Sequence, residues 1–521
     1  MRAVEALCIV GAALMLNTSG AVRCAVGAVE AAALMLELTT TKNSTHPFRP
    51  NSGRGLCIAL AILPLVFASQ LALNGSAEDS HVAFLFRLSV ASAIIFSLQL
   101  QRGSDSHFIH DKITIVALAI VATLTFSYSD LLRGIILVFM HLLFVRLLVF
   151  SLPYTFTFGE AYVAAFFLVL VLYNGIASLI ASAFAFLPSW CLLHPVIILT
   201  NPWAFLAQYT LLTLAMIVFA TSPLMPNLKS SKTEDFDERN VSEFWARFLL
   251  IGAFADVGLL FGLDEEPFSF VMRSIFEQPA RSKLFLGWLV SIAFSLTLFK
   301  RIENWLQCRI IISRKLYHCL ITFIVIPGIL VDIQFLAIAF VVSLSVFIAC
   351  ELIRISQASK FSAMLQQYMA VYVNGSQEPA LVGRDCGPVI LAHVYLLVGC
   401  ALPVWLHLPF VGANNLLSLV PSFAGAIALG ICDSAAAFVG VRFGTSRWPG
   451  SKRTFQGSLA AFASAFISLE LLNIWVCNHS ISVKSFLLPA LGLSIMEASL
   501  DQVDNLFLPL FFYSSLNIIA R

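Results

Sequence analysis

Apolar residues run along this chain in long blocks parted by short polar breaks, instead of recurring every three or four residues. A helix on a globular surface shows one apolar stripe, whereas these blocks are rich in Leu, Phe, Ala, Val and Ile all round. About 20 such residues cross a bilayer as an α-helix, which satisfies its own backbone in lipid. The blocks predict spans near 3–17, 21–38, 55–74, 82–100, 113–128, 131–151, 160–187, 190–222, 246–263, 284–300, 316–332 and 335–353. Others follow near 389–407, 413–440, 458–477 and 484–519. The longest have room for two crossings, so the expected fold class is all-α, a polytopic transmembrane bundle of roughly 14 spans. The opening block after Met1-Arg2 has the outline of a secretory leader, but further blocks follow so closely that it is expected to be a first membrane segment.

Four polar stretches interrupt the blocks, at 225–245, 264–283, 354–388 and 441–457. The first mixes charges with Ser and Asn as a solvated connection does, and the second, with Asp264, Glu265 and Glu266, is expected to be a solvated loop. No internal repeat is present. Before residue 300 the polar positions inside blocks are isolated, whereas beyond it Arg, Lys, His, Glu and Asp recur in groups at block edges. Charge beside a span is costly and marks function. Two regions are therefore expected: residues 1–300, a multi-span region of unclear role, and residues 301–521, a membrane-embedded region that carries the chemistry.

Composition sharpens this picture. The chain has 59% hydrophobic and 12% charged residues, against about 25% charge in globular domains, which excludes a water-soluble core. Its net charge of +2 says little, and no nucleic-acid partner is expected. The 11 cysteines form no C-x-x-C pair and no metal-spaced cluster with His, so neither a disulfide framework nor a zinc site is expected.

The strongest chemical feature runs from Gly430 to Ser458. Asp433 ends an apolar block, and the small residues that follow lead into a basic, glycine-rich loop. It comprises Gly440, Val441, Arg442, Phe443, Gly444, Thr445, Ser446, Arg447, Trp448, Pro449, Gly450, Ser451, Lys452, Arg453 and, past Thr454, Gly457. No acid occurs from Ser434 through Leu469. By composition this is a polyanion cradle: glycines admit backbone N–H groups to phosphate oxygens, and Lys and Arg neutralise them. Asp433 suits a magnesium ion that bridges phosphates. A positive-inside loop with glycine turns is the alternative. The spacing is neither a Walker A motif nor a protein-kinase set.

Other groups lie within reach of such a site. Arg314, Lys315 and His318 share neighbouring surface at a span's start, facing either an anion or the lipid boundary. Glu351 and Arg354 have the spacing of an ion pair. Asp385, before Gly387-Pro388, suits a helix cap. Glu497, Asp501 and Asp504, with Asn505 beside them, fall at i, i+4 and i+7, hence on one face of a helix. Such carboxylates need a cation opposite, either magnesium, with Asp504 a ligand beside Asp433, or basic side chains.

Together these segments resemble dolichol kinases, membrane enzymes of the polyprenol kinase family. The resemblance rests on Arg314-Lys315-x-Tyr317-His318 with Ile326-Pro327-Gly328, Glu351-x-x-Arg354, and Asp385-x-Gly387-Pro388-x-Ile390-Leu391-x-His393-x-Tyr395. It continues through Asp433-x-x-Ala436-x-x-x-Gly440, Arg447-Trp448-Pro449-Gly450-x-Lys452-x-Thr454-Phe455-x-Gly457, and Glu497-Ala498-x-x-x-Gln502-x-Asp504-Asn505. It covers roughly residues 310 to 515. It implies CTP as phosphoryl donor, dolichol or a similar polyisoprenoid alcohol as acceptor, and dolichyl phosphate for protein glycosylation as product. It also implies the endoplasmic reticulum membrane as location and the segment near 437–457 as the CTP-binding loop. The positive-inside rule separately places that loop in the cytosol.

The mechanism expected is in-line transfer of the γ-phosphoryl group. Asp433 holds magnesium or takes the hydroxyl proton, His318 is a second candidate base, and Arg314, Lys315, Arg442, Arg447, Lys452 and Arg453 meet phosphates. Glu351, Arg354, Asp385, Glu497, Asp501 and Asn505 support the site. Three alternatives stay open: a CTP-dependent kinase for diacylglycerol or another prenol, a membrane cytidylyltransferase, and a transporter.

Overall fold

The computed structural model describes residues 2–16, 18–39, 49, 55–74, 81–101, 112–128, 130–183, 202–221, 238–263, 266–306, 310–356, 362–367, 389–411, 416–449, 451, 453–500 and 502–520. These residues form helices and their connections, with no strand among them. The first eleven helices are α1 (Arg2–Met15), α2 (Gly20–Thr39), α3 (Leu56–Asn74), α4 (His81–Gln101), α5 (Lys112–Thr125), α6 (Leu131–Ser151), α7 (Phe158–Ala183), α8 (Pro202–Thr221), α9 (Glu238–Leu263), α10 (Pro267–Phe276) and α11 (Pro279–Leu306). The chain continues through α12 (Ile310–Ser356), α13 (Ala392–His407), a π-helical stretch (Ala426–Cys432), α14 (Asp433–Phe443), α15 (Phe455–Trp475), α16 (Leu487–Ser499) and α17 (Asp504–Ile519). Among the described residues, nine helical segments are long and apolar enough to cross a membrane. One of them, Arg314–Ile355, has 42 residues, enough for two crossings.

That long segment bends where the sequence predicts a gap between spans. Asp332 adopts φ −161° and ψ 98°, its carboxylate accepts the Phe335 N–H at 2.9 Å, and Arg281 reaches its other oxygen at 2.7 Å. A short acceptor side chain thus caps the second half of α12, the usual device for starting a helix.

Two helices are buried on every side: α3 from Leu56 to Gln70, and α17 from Asp504 to Asn517. They pack on each other, and polar bonds fix their register. Gln70 donates to Tyr513 Oη at 2.9 Å and to the Leu406 carbonyl at 2.8 Å, while Asn517 donates to Ser69 Oγ at 2.9 Å. Among the described residues the main apolar cluster runs from Ile9 to Leu516, and a smaller one joins Leu206, Tyr209, Leu212, Ala255, Leu259, Phe270 and Ile338.

The region 264–283 departs from the expected solvated loop. Pro267 opens α10 with Glu266 as its cap, the side chain accepting the Ser269 N–H at 2.8 Å, and α11 already begins at Pro279. Proline at the first helical turn and an acid before it are helix-starting signals that the polar composition concealed.

Candidate active site

Asp433 stands at the joint between the π-helical stretch and α14, inside one continuous helical rod and not at its end as expected. π-turns inside helices are frequent at functional sites. The side chain is fully buried and ion-paired with Lys315 from the first turns of α12. His318, one turn further along α12, places Nδ1 at 3.4 Å from the same Asp433 oxygen and 3.1 Å from the Leu429 carbonyl. A carbonyl only accepts, so this geometry assigns the proton to Nδ1. Asp433 Oδ1 is buried without a hydrogen-bond partner among the described residues. The helices approach closely here: a Cβ added to Gly430 would lie 1.5 Å from Thr322 Oγ1. Arg314 is partly buried beside this group.

The basic loop is a pinned hairpin. Arg447 and Thr454 bridge, Trp448 N–H donates to the Arg453 carbonyl at 3.0 Å, and Phe455 N–H donates to the Ser446 carbonyl at 2.9 Å. Gln456 accepts from the N–H groups of Thr445 at 3.2 Å and Ser446 at 3.3 Å. Ser451 N–H donates to the Trp448 carbonyl, and Arg453 N–H to Ser451 Oγ at 3.2 Å. The Trp448 ring stacks on Phe455 at 4.2 Å, and its Nε1 donates to Ser458 Oγ at 2.9 Å.

The N–H groups of Thr445, Ser446, Trp448, Ser451, Arg453 and Phe455 are thus spent inside the loop. The glycines serve packing as well: a Cβ on Gly444 would sit 2.2 Å from the Gly440 carbonyl, and one on Gly457 would sit 2.9 Å from that of Ala436. They let α14, the hairpin and α15 close on one another. Val441 is partly buried along α14, while Arg442, Phe443, Arg447 and Pro449 are exposed at the mouth of this corner.

Arg453 turns inward from the hairpin. Its Nη1 lies 2.7 Å from Glu497 and its Nη2 3.0 Å from Asp504. Burial opposes its charge, but these two carboxylates outweigh that cost and raise its pKa above the ordinary arginine value. Glu497 and Asp504 do not share one helix face as the spacing suggested. α16 stops at Ser499, Leu500 and Val503 are extended, and α17 starts at Asp504. The bend itself turns both acids toward one guanidinium. Asp504 also accepts the Asn505 N–H at 3.1 Å through its other oxygen, and Asn505 is buried.

Glu351 and Arg354 form a buried ion pair at 2.5 Å. Glu351 also accepts the Ile390 N–H ahead of α13, and Arg354 donates to Gln366 at 2.6 Å. Their described bonds thus tie the end of α12 to α13. Asp385, Gly450, Lys452 and Asp501 lie outside the described residues.

Sequence reasoning missed one contributor. The Arg49 guanidinium pairs with Glu160 at 2.6 Å, both side chains being buried. Thr157 donates to Gln502 Oε1 at 2.7 Å, and the Val503 N–H donates to Glu160. Gly55, at φ +68°, is pressed so close to Gln502 that a Cβ would lie 2.4 Å from its amide. This network grips the bend that delivers Asp504. Its only sequence signal was a lone acid in an apolar block.

No family model matches the chain, and no solved structure does. Among curated proteins it is 31% identical over 275 residues to dolichol kinase EVAN of Arabidopsis thaliana, covering 52% of this chain and 46% of that protein. Dolichol kinase of Homo sapiens is 30% identical over 262 residues, 48% of this chain and 47% of the relative. That of Saccharomyces cerevisiae is 28% identical over 252 residues, 47% and 44% of the two chains. Each of these matches runs over about half of this chain. The chain spans about half the length of the curated relatives it matches.

Proposed function

We propose that the chain is a dolichol kinase that transfers the γ-phosphoryl group of CTP to dolichol at the cytosolic face of the endoplasmic reticulum membrane. One observation carries the reading: a buried aspartate held by a lysine and a histidine, with one oxygen unspent, beside a hairpin that exposes arginines. In this reading the catalytic region is 301–521 and the nucleotide meets the segment 437–457. The hydroxyl oxygen of the lipid forms a bond to the γ-phosphorus, the bond to the bridging oxygen breaks, and CDP leaves. Arg442 and Arg447, with Lys452, meet the phosphates as side chains. Lys315 and Arg314 approach from α12, and His318 steadies Asp433 through Nδ1–H.

Magnesium fits through Asp433. Oδ1 is an orphaned hard oxygen, and magnesium characteristically takes one or two carboxylates and completes its shell with water and phosphate. No group of three His, Cys, Asp or Glu side chains suits a metal among the described residues. Both Asp504 oxygens already accept hydrogen bonds, so that residue acts through Arg453. When bound, magnesium would neutralise charge on the phosphates. Asp433 Oδ1 has two possible duties, metal ligand or acceptor of the hydroxyl proton.

The test is an assay of the purified chain with labelled CTP and a panel of lipid alcohols. Dolichyl phosphate and CDP are expected. Phosphatidate would indicate a diacylglycerol kinase, and pyrophosphate a cytidylyltransferase, and either would overturn the proposal. Asp433→Asn should lower kcat by about 10³-fold, the scale of losing a positioned acid or base. A raised magnesium requirement would mark the ligand duty; a loss at every magnesium concentration would mark the base.

A further inference from the structure

Beside the Lys315–Asp433 pair lies a cavity of about 560 Å³, well within the range of ligand sites. Its two walls are faces of antiparallel helices, one carrying Lys315, Cys319 and Thr322 of α12, the other Gly430, Ser434 and Ala435 around the π-to-α joint. The spacing of three and four places each set on one helical face. From Lys315 to Phe323 the furrow runs roughly 12 Å at 1.5 Å per residue. Both helices belong to candidate membrane spans, so the furrow's outside faces lipid. Phe323 and Phe438, each at least half exposed, stand along its rim. The lining is almost wholly apolar except at Lys315, where the buried carboxylate sits.

We infer that this furrow holds the hydroxyl-proximal isoprene units of the acceptor, with the hydroxyl at Lys315 and Asp433 and the chain leaving past Phe323 into the bilayer. The inference rests on the kinase reading and adds to it where the acceptor lies. An ordinary phospholipid fits poorly, since its headgroup phosphate would have to sit at the buried Asp433 carboxylate. A neutral alcohol brings no such repulsion and can hydrogen-bond both members of the pair. Cys319, Thr322 and Ala435 line the furrow with short side chains, which leave room for the methyl branches of an isoprenoid chain.

The experiment uses the full chain in detergent or nanodiscs with a polyprenol carrying a photoactivatable group near its alcohol end. Adducts are expected on Cys319, Phe323, Ile431 or Phe438, displaced by excess polyprenol but not by phosphatidylcholine. Ala435→Trp fills the furrow and should raise the acceptor KM about tenfold or more, the scale of a steric mismatch in a hydrophobic pocket, with the CTP KM unchanged. Phe438→Ala, at an exposed position that folding tolerates, should lower adduct yield and raise the acceptor KM in the same sense. Adducts on other helices, displacement by phosphatidylcholine, or an unchanged acceptor KM in both variants would overturn the inference. Failure of the unmodified chain to phosphorylate any polyprenol would instead sink the kinase reading, which the adduct map reports on separately.

Discussion

Lys315 and Asp433 illustrate how a membrane protein keeps a charge where water is scarce. A buried carboxylate is tolerated only when paired and hydrogen-bonded, and Asp433 has Lys315 and the His318 Nδ1–H on one oxygen. Removing the lysine alone strands that charge. Lys315→Met should therefore cost about 3–5 kcal/mol, visible as a lower melting temperature in detergent, whereas Lys315→Met with Asp433→Asn should melt closer to the parent. Both variants should be inactive. A single variant as stable as the parent would show that the pair does not hold Asp433. At Arg453 geometry matters more than charge, because one planar guanidinium joins Glu497 and Asp504. Arg453→Lys keeps the cation but cannot span both acids in the same fork, so the nucleotide KM should rise about tenfold, the value of one lost charge-assisted hydrogen bond.

At the scale of elements, the hairpin after α14 owes its shape to missing side chains. Gly444→Ala would drive a methyl into the Gly440 carbonyl and Thr454, forcing α14 and the hairpin apart. A loss of about 1–3 kcal/mol is expected from such overpacking, with a weaker nucleotide KM as Arg442 and Arg447 lose their placement. A parent-like melting curve and KM would remove the packing role assigned to Gly444. The loop itself was legible from its glycines, cations and lack of acids, but the duty of those glycines was not. A sequence shows that a Cβ is absent without showing whether a phosphate or another helix needs the space. Likewise, Glu497 and Asp504 were legible as a group meeting a basic loop, whereas helical periodicity gave the wrong reason. Two extended residues, Leu500 and Val503, break the helix between them. The spans near 316–332 and 335–353 were predicted well because hydropathy alone decides them, and Asp332 interrupts the apolar run just where the rod bends.

Across the whole molecule, the helices before residue 300 do more than surround the later ones. α3 and α17 are buried against each other, and the Arg49–Glu160 pair reaches the bend at Gln502 and Val503 from 111 residues apart in sequence between its own members. Such a network could not be read from spacing, since the partners become neighbours only after the bundle closes. It places the bend, the bend places Asp504, and Asp504 holds Arg453. Thr157→Val tests this chain of support without stranding a buried charge. It removes the buried hydroxyl that donates to Gln502 Oε1 and accepts the Glu160 N–H, a loss of about 1–3 kcal/mol. If the network positions the hairpin, the nucleotide KM should rise several-fold, roughly what 1 kcal/mol gives, while the acceptor KM stays put. Thr157→Ser, which keeps the hydroxyl, should restore the parent value. A Thr157→Val variant that melts earlier yet binds nucleotide like the parent would reduce the N-terminal helices to a scaffold, with Asp504 set by α17 alone.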